Sequence, residues 1–283
     1  MKNNMITKVT LSAVCLSLMI GASGCGLQND NEIAESTTHE ETPEDRDTLY
    51  QVSLLQGLLQ GDYNGSISIG ELKACGDTGI GTFDRLNGEL IMVDGVVYRA
   101  AGDGTVEVPS DDETIPFSNV TFMDADEEVS INNVASFDDL MEILNGKVAE
   151  LGGNRFYMIR IDGVFNTVYA RSEYAQDKPY EPLVVVLETD QTFFDMENVS
   201  GTVVGLYCPA YMSELNNAGW HLHFISDDRT SGGHVLDLAI EEAVITWDYT
   251  DNFEMILPDN DEFTQIDFSI DRSEDVRRAE TNE

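Results

Sequence analysis

Positive charge is scarce in this sequence. Only 15 of the 283 residues are Lys or Arg, against 53 Asp or Glu, which gives a formal net charge of −38 at pH 7. A surface of that sign repels nucleic acids and anionic lipid headgroups, so neither is expected as a partner. A site for an anionic substrate would need local positive charge, from a metal ion or from one of the few arginines.

Cysteine is also rare, with only Cys15, Cys25, Cys75 and Cys208, and there is no Cys-x-x-Cys pair. A zinc site built from thiolates is therefore not expected. Whether Cys75 and Cys208 pair is left open by the sequence, and we interpret both as packing residues. The glycines of residues 76–81 lack the G-x-G-x-x-G spacing of a dinucleotide site, so no dinucleotide cofactor is predicted from them.

The chain lacks an apolar run long enough for an ordinary spanning helix. Its N-terminal run, residues 9–20, follows a basic start and precedes small residues, which predicts a signal peptide over residues 1–24. The small residues before Cys25 resemble a bacterial lipobox and predict an exported lipoprotein with a lipid on Cys25. Ala22 stands where that motif usually has Leu, so secretion without an anchor stays open. The acidic residues 25–48 predict a flexible tether.

Hydrophobic periodicity predicts two helices in the remaining chain. One runs from Leu49 to near Gly61, and the other is capped by Ser136 and ends at Gly152. Asp94-Gly95 predicts a hairpin turn, because both residues tolerate positive φ. Strands are predicted at residues 66–69, 89–93, 156–161, 164–170, 183–187, 201–206 and 243–247.

Many strands and few helices predict an α+β fold with mixed sheets. The predicted boundary lies near residues 172–180. It separates an N-terminal α/β domain, residues 49–175, from a β-rich C-terminal domain, residues 176–283, and both parts could share one extended sheet.

Three of the four histidines fall within fourteen positions, at His221, His223 and His234. His221 and His223 alternate with apolar residues, as on one face of a strand, and a polar turn precedes a second alternating run from His234. If His223 pairs with His234 across an antiparallel hairpin, all three imidazoles share one face. Three histidine nitrogens with room for a further ligand suit a catalytic zinc ion.

The residues that would complete such a site are not selected by pattern alone. Glu89 starts an apolar strand, Arg171 ends another, and Glu280 lies in the C-terminal tail, where each would ordinarily be a solvated surface residue. Arginine is nevertheless a scarce anion-binding resource in so acidic a chain.

The sequence resembles the α-acetolactate decarboxylase family over nearly the whole chain from Leu49 to Glu280. The similarity is carried by residues 76–83, 86–90, 169–171, 178–180, 219–224, 228–236 and 276–280. The histidine segment, Gly-Trp-His-Leu-His-Phe followed by Asp-Arg-Thr-Ser-Gly-Gly-His, is its most specific part.

The resemblance implies a two-domain α/β fold built on mixed sheets and a homodimer. It further implies that His221, His223 and His234 bind Zn²⁺ or another divalent metal, and that Glu89, Arg171 and Glu280 are the active-site glutamates and arginine. The implied reaction is decarboxylation of acetolactate to (R)-acetoin, with the metal ion as electron sink.

Three other interpretations of the histidines stay open at this point. A zinc hydratase or hydrolase also uses His-x-His on one strand with a third histidine on its neighbour. A cupin-like oxygenase would usually place a glutamate shortly after His-x-His, where this chain has Asp227 and Asp228. A metal-capturing lipoprotein would suit the anchor, although such receptors draw their ligands from two lobes.

Overall fold

The computed structural model describes residues 46–280. The predicted signal peptide, Cys25 and most of the tether lie outside the described residues. Within them the strands are β1 (Thr48–Val52), β2 (Ile67–Ser68), β3 (Thr78–Thr82), β4 (Glu89–Val93), β5 (Val96–Ala100), β6 (Val106–Glu107), β7 (Thr114–Ile115), β8 (Phe117–Thr121), β9 (Glu127–Val134), β10 (Phe156–Glu173), β11 (Gln191–Cys208), β12 (Gly219–Ser226), β13 (Gly232–Thr250) and β14 (Asn252–Ile256). The helices are α1 (Leu55–Leu59), α2 (Ile69–Lys73), α3 (Phe137–Leu151), α4 (Leu183–Thr189), α5 (Asp261–Gln265) and α6 (Ser273–Glu280).

Seven strands form the first sheet, in the order β14-β1-β8-β3-β4-β5-β6. β1 pairs with β14 in parallel and with β8 antiparallel, so the sheet is mixed. The predicted Asp94-Gly95 hairpin joins β4 to β5, and both turn residues have positive φ, as the pattern requires.

The second sheet contains the three longest strands and closes on itself. β10 pairs with β11, β11 with β12, β12 with β13, and β13 again with β10, while β9 extends the outer edge of β13. A strand in a closed ring is hydrogen-bonded on both sides, so its side chains are held in fixed positions.

The two sheets pack face to face, with a helix on the outer face of each. Residues of β1, β3, β4 and β5 share one apolar cluster with residues of β10, β11 and β12. α2 covers the other face of the first sheet, and α3 covers the other face of the second. A further cluster joins α1, α4 and α6 beside the sheets. The mixed sheets and few helices confirm the predicted fold class.

Three local predictions from periodicity were wrong or incomplete. The predicted helix from Leu49 begins as strand β1, which is buried on both faces and therefore lacks the alternation typical of a strand; only residues 55–59 are helical. Residues 183–187, predicted as a strand, form α4 instead. The two strands predicted around Gly163 are one continuous strand, β10.

The second predicted helix is confirmed as α3. The Ser136 side chain accepts a hydrogen bond from the Asp139 backbone N–H, and the chain leaves the helix at Gly152, whose φ is +113°. Leu140, Leu144 and Val148 form its buried face.

The predicted domain boundary falls between β10 and α4. β10 lies before it and pairs with β11 and β13 after it, so the two predicted portions share the second sheet. The division into domains stays a prediction. Among residues 46–280, no helix has the length and hydrophobicity needed to cross a bilayer.

Candidate metal centre and active site

The three histidines converge on one point between the two sheets. His223 on β12 pairs directly with His234 on β13, in the register that the sequence predicted. Leu222 and Phe224 face the cluster beneath α3, so the alternate positions, His221 and His223, face the first sheet. The Nε2 atom of His221 lies 3.0 Å from Nε2 of His223 and 3.0 Å from Nδ1 of His234.

The outer nitrogen of each imidazole faces an oxygen, which favours one tautomer. Nδ1 of His223 lies 2.9 Å from the carbonyl oxygen of Leu90, and Nε2 of His234 lies 3.5 Å from that of Glu280. Nδ1 of His221 lies 3.7 Å from a carboxylate oxygen of Glu280. The Leu90 carbonyl oxygen can only accept, so Nδ1 of His223 carries the proton and its inner Nε2 keeps a lone pair; the same tautomer pattern at His221 and His234 would leave a lone pair on each of the other two inner nitrogens.

Three lone pairs that face one another could hold a cation. The three nitrogens lie within 4.8 Å of one another, which fits ligands of one metal ion. Burial lowers the pKa of His221 to about 3 and those of His223 and His234 well below their usual range, so the imidazoles are neutral, the form that binds metals.

Glu89 reaches the histidines from the first sheet. It begins β4 and lies on the face that carries Ile91 and Val93, which pack against the second sheet. One of its carboxylate oxygens lies 3.4 Å from Nε2 of His223. Burial, together with the nearby Glu173 carboxylate, raises the pKa of Glu89 well above its usual range, although Arg171 opposes that shift.

Arg171 brings positive charge to the same point from β10. Arg171 on β10 is the register partner of His234 on β13, and its side chain is buried, with 5% of the residue exposed. Its Nη2 donates a hydrogen bond to the carbonyl oxygen of Ala279, and its Nε lies 3.6 Å from the Glu173 carboxylate. A guanidinium so deeply buried is suited to bind an anion, because little water screens its charge.

Glu280 closes the site from α6. Its carboxylate accepts a hydrogen bond of 3.2 Å from the Asn217 side chain and faces His221. Burial raises the pKa of Glu280 to about 7, against the opposing influence of Arg171 and of the Asn217 hydrogen bond. The structure thus brings together all six residues singled out in the sequence.

Two contributors were missed from the sequence. Glu173 is 2% exposed and lies beside Arg171 and Glu89, and Asn217 holds Glu280. Glu173 could have been predicted, because it follows Arg171 by two positions on the same strand, and residues so spaced lie on the same face of the sheet. Asn217 lies in the loop before β12, where no periodicity applies.

Two cavities meet at the histidines. The inner cavity, about 40 Å³, is lined by Glu89, Arg171 and Glu173 together with apolar side chains of α1 and α4. The outer pocket, about 470 Å³, is lined by Trp220, Phe137 and Met141 among others. His221, His234 and Glu280 line both, so they form the wall between them.

Comparison of the sequence and the fold with known proteins shows the family to which this chain belongs. Residues 49–270, most of the chain, match the family model described as alpha-acetolactate decarboxylase. The chain belongs to this family. The family is one of carboxy-lyases, so the enzyme class is settled at the same time.

Individual relatives agree with the family model. The alpha-acetolactate decarboxylase of Methanosarcina mazei is 40% identical over 83% of this chain and 80% of its own length. That of Brevibacillus brevis is 32% identical over 99% of both chains. The crystal structure of the Bacillus subtilis strain 168 enzyme superposes with a TM-score of 0.80 at 37% identity, covering 83% of this chain and 99% of that one.

Membership of the family favours a decarboxylase over the three other interpretations of the histidines. The two glutamates beside the metal site agree with this choice. They would reduce the Lewis acidity that a hydratase needs for its bound water.

Proposed function

We propose that this protein decarboxylates acetolactate to (R)-acetoin at a Zn²⁺ ion held by His221, His223 and His234. The convergence of three neutral imidazole lone pairs beside Arg171 and two glutamates carries the proposal. A zinc ion bound by these histidines would supply a Lewis acid, which stabilises the negative charge left when CO₂ departs.

Arg171 binds the carboxylate of the substrate before the bond breaks. The guanidinium lies at the inner cavity, and its fork geometry matches a carboxylate. Because the protein carries a net charge of −38, this local cation compensates for the repulsion that an anionic substrate meets.

Glu89 supplies the proton that completes the product. Loss of CO₂ from C2 leaves an electron pair that is shared with the neighbouring keto group, and a proton must then be added at C2 to give the hydroxyketone. The raised pKa of Glu89 favours the protonated carboxyl group, which is the form that a general acid requires. Its fixed place on β4 delivers the proton to one face, which accounts for a single enantiomer.

Apolar side chains keep bulk water away from the reacting carbon. Leu55, Leu58, Phe117 and Leu183 line the inner cavity. Water exclusion strengthens the electrostatic interactions of Arg171 and prevents unselective protonation by solvent.

The experiment that tests this function is acetoin formation from racemic acetolactate. The purified protein is assayed as isolated, after chelation, and after addition of Zn²⁺. We expect (R)-acetoin well above the spontaneous rate, loss of the activity on chelation, and its return with the metal. A folded, metal-loaded protein without turnover would contradict the proposal and favour a hydratase or a metal receptor.

We also propose export to the cell surface as a lipoprotein, and a homodimeric assembly. The basic start, the short apolar run and the small residues before Cys25 support export. Cys25→Ser should release the protein from membranes into the medium, whereas secretion without an anchor predicts no difference. Light scattering of the purified protein tests the dimer.

A further inference from the structure

Glu173 is a third carboxylate in the site, and so far it has been considered only as one cause of the raised pKa of Glu89. It ends β10, two positions after Arg171, and both side chains line the inner cavity. The residue is 2% exposed. Charged residues are almost never buried so fully unless they are paired, so its placement requires a reason.

The partner of Glu173 is the arginine proposed to hold the substrate. Its Oε1 lies 3.6 Å from Nε of Arg171, and its carboxylate also lies beside the Glu89 carboxyl group, whose pKa it raises. The other end of the guanidinium is fixed by the hydrogen bond from Nη2 to the carbonyl oxygen of Ala279. Arg171 is therefore held by one hydrogen bond and faces a carboxylate at ion-pair distance, so part of its charge is already compensated before a substrate arrives.

We propose that Glu173 is a positioning residue that orients the Arg171 guanidinium and weakens its hold on the substrate carboxylate. The inference rests on the proposed function. The carboxylate is the group that leaves as CO₂, so a contact that is stronger before bond breaking than during it lowers kcat. A negative charge beside Arg171 limits that ground-state stabilisation while keeping the guanidinium in place.

The test compares a charged and a neutral ligand in Glu173→Gln. The charged probe is 2-hydroxy-2-methylbutanoate, which has the carboxylate and hydroxyl but no keto group and cannot decarboxylate. The neutral probe is acetoin, which lacks the carboxylate. Binding of each to the zinc-loaded protein is measured by calorimetry, alongside kcat and KM for acetolactate.

We expect Glu173→Gln to bind the carboxylate probe roughly tenfold more tightly, because a like charge near the ligand has been removed. Acetoin should bind as in the wild type, and both KM and kcat for acetolactate should fall. Glu173→Asp, which keeps the charge, should restore weak binding of the carboxylate probe. Should Glu173→Gln be unstable, Glu173→Met provides a neutral side chain of similar length.

The matched control is Glu197→Gln on β11, which changes the net charge equally. Glu197 is exposed and pairs with Thr167, four residues before Arg171 on β10. It should leave both affinities unchanged. An unaltered affinity for the carboxylate probe in Glu173→Gln, or an equal loss for both probes, would overturn the inference. Neither binding measurement needs turnover, so these results are separate from a failure of the wild type to form acetoin.

Discussion

Nδ1 of His223 donates a hydrogen bond to the carbonyl oxygen of Leu90, 2.9 Å away. His223 belongs to the second sheet, whereas Leu90 and its neighbour Glu89 belong to the first. The bond fixes the imidazole ring, and it brings the Glu89 carboxylate to 3.4 Å from the inner nitrogen of the same ring. One histidine therefore connects the metal site to the strand that carries the proposed proton donor.

His223→Ala should lose metal and activity together. The substitution removes one of three ligands and the link to Leu90, so we expect zinc content to fall well below one ion per chain and acetoin formation to approach the spontaneous rate. Elemental analysis and the acetoin assay measure the two quantities. His39→Ala, which removes the histidine outside the cluster, is the control. Full zinc content with normal turnover in His223→Ala would refute the site.

Arg171→Ala should keep the metal and lose rate. Arg171 contacts no histidine through a ligand atom, so zinc content should match the wild type. We expect kcat/KM to fall about 10²- to 10³-fold, as when one charge-stabilising donor is removed from an active site. Arg155→Ala removes the same charge from a surface pair with Asp251 and should have little effect. Wild-type kinetics for Arg171→Ala would exclude it from the mechanism.

A methyl group at Gly233 should destabilise the fold at the metal site. Gly233 has a φ of +149°, and a Cβ atom there would lie 2.4 Å from the carbonyl oxygen of Arg171. We expect Gly233→Ala to lower the free energy of unfolding by about 2–4 kcal/mol in urea titrations. In contrast, a Cβ at Gly146 in α3 meets nothing within 4 Å, so Gly146→Ala should add about 0.5–1 kcal/mol. Equal effects of the two substitutions would contradict this account.

Asp248 should make stability fall as the pH rises. Burial raises its pKa from 3.8 to about 8, with the Asp126 and Asp124 carboxylates adding to the shift and a backbone hydrogen bond from Asp124 opposing it. Between those values the folded state keeps a proton that the unfolded state has lost. The stabilisation is therefore complete below pH 4 and is lost as the pH approaches 8.

Asp248→Asn tests this dependence, because an amide has no proton to lose in that range. Urea titrations from pH 5 to 8 should show a flatter decline than in the wild type. Asp259→Asn, at an exposed position, should retain the wild-type slope. If the free energy of unfolding fell equally steeply with pH in Asp248→Asn and in the wild type, Asp248 would not be the cause of the pH dependence.

The hairpin of β12 and β13 could be predicted because the pattern that indicates it lies within one short segment of the sequence. Alternation places His221 and His223 on one face, and the polar turn fixes the register that opposes His223 to His234. Helix α3 could be predicted for the same reason, because the residues that cap it, Ser136 and Gly152, are adjacent to its two ends in the sequence.

Other elements depend on contacts far away in sequence. The β-branched run before Thr189 favours a strand, but Val186 and Leu187 pack as helix α4 against α1 and α6. Glu89, Arg171 and Glu280 come from three separate elements, and no periodicity distinguishes them from other charged residues. Only the family resemblance selected them before the structure placed them together.

The spacing of the site residues also favours one order of assembly over others. Three imidazoles within fourteen positions can meet as soon as one hairpin forms, whereas His223 reaches Leu90 only by closing a loop of 133 residues. Closing long loops costs entropy and slows folding. The histidine cluster could therefore form before the first sheet docks, and the candidate site would be complete only when Glu89 joins it.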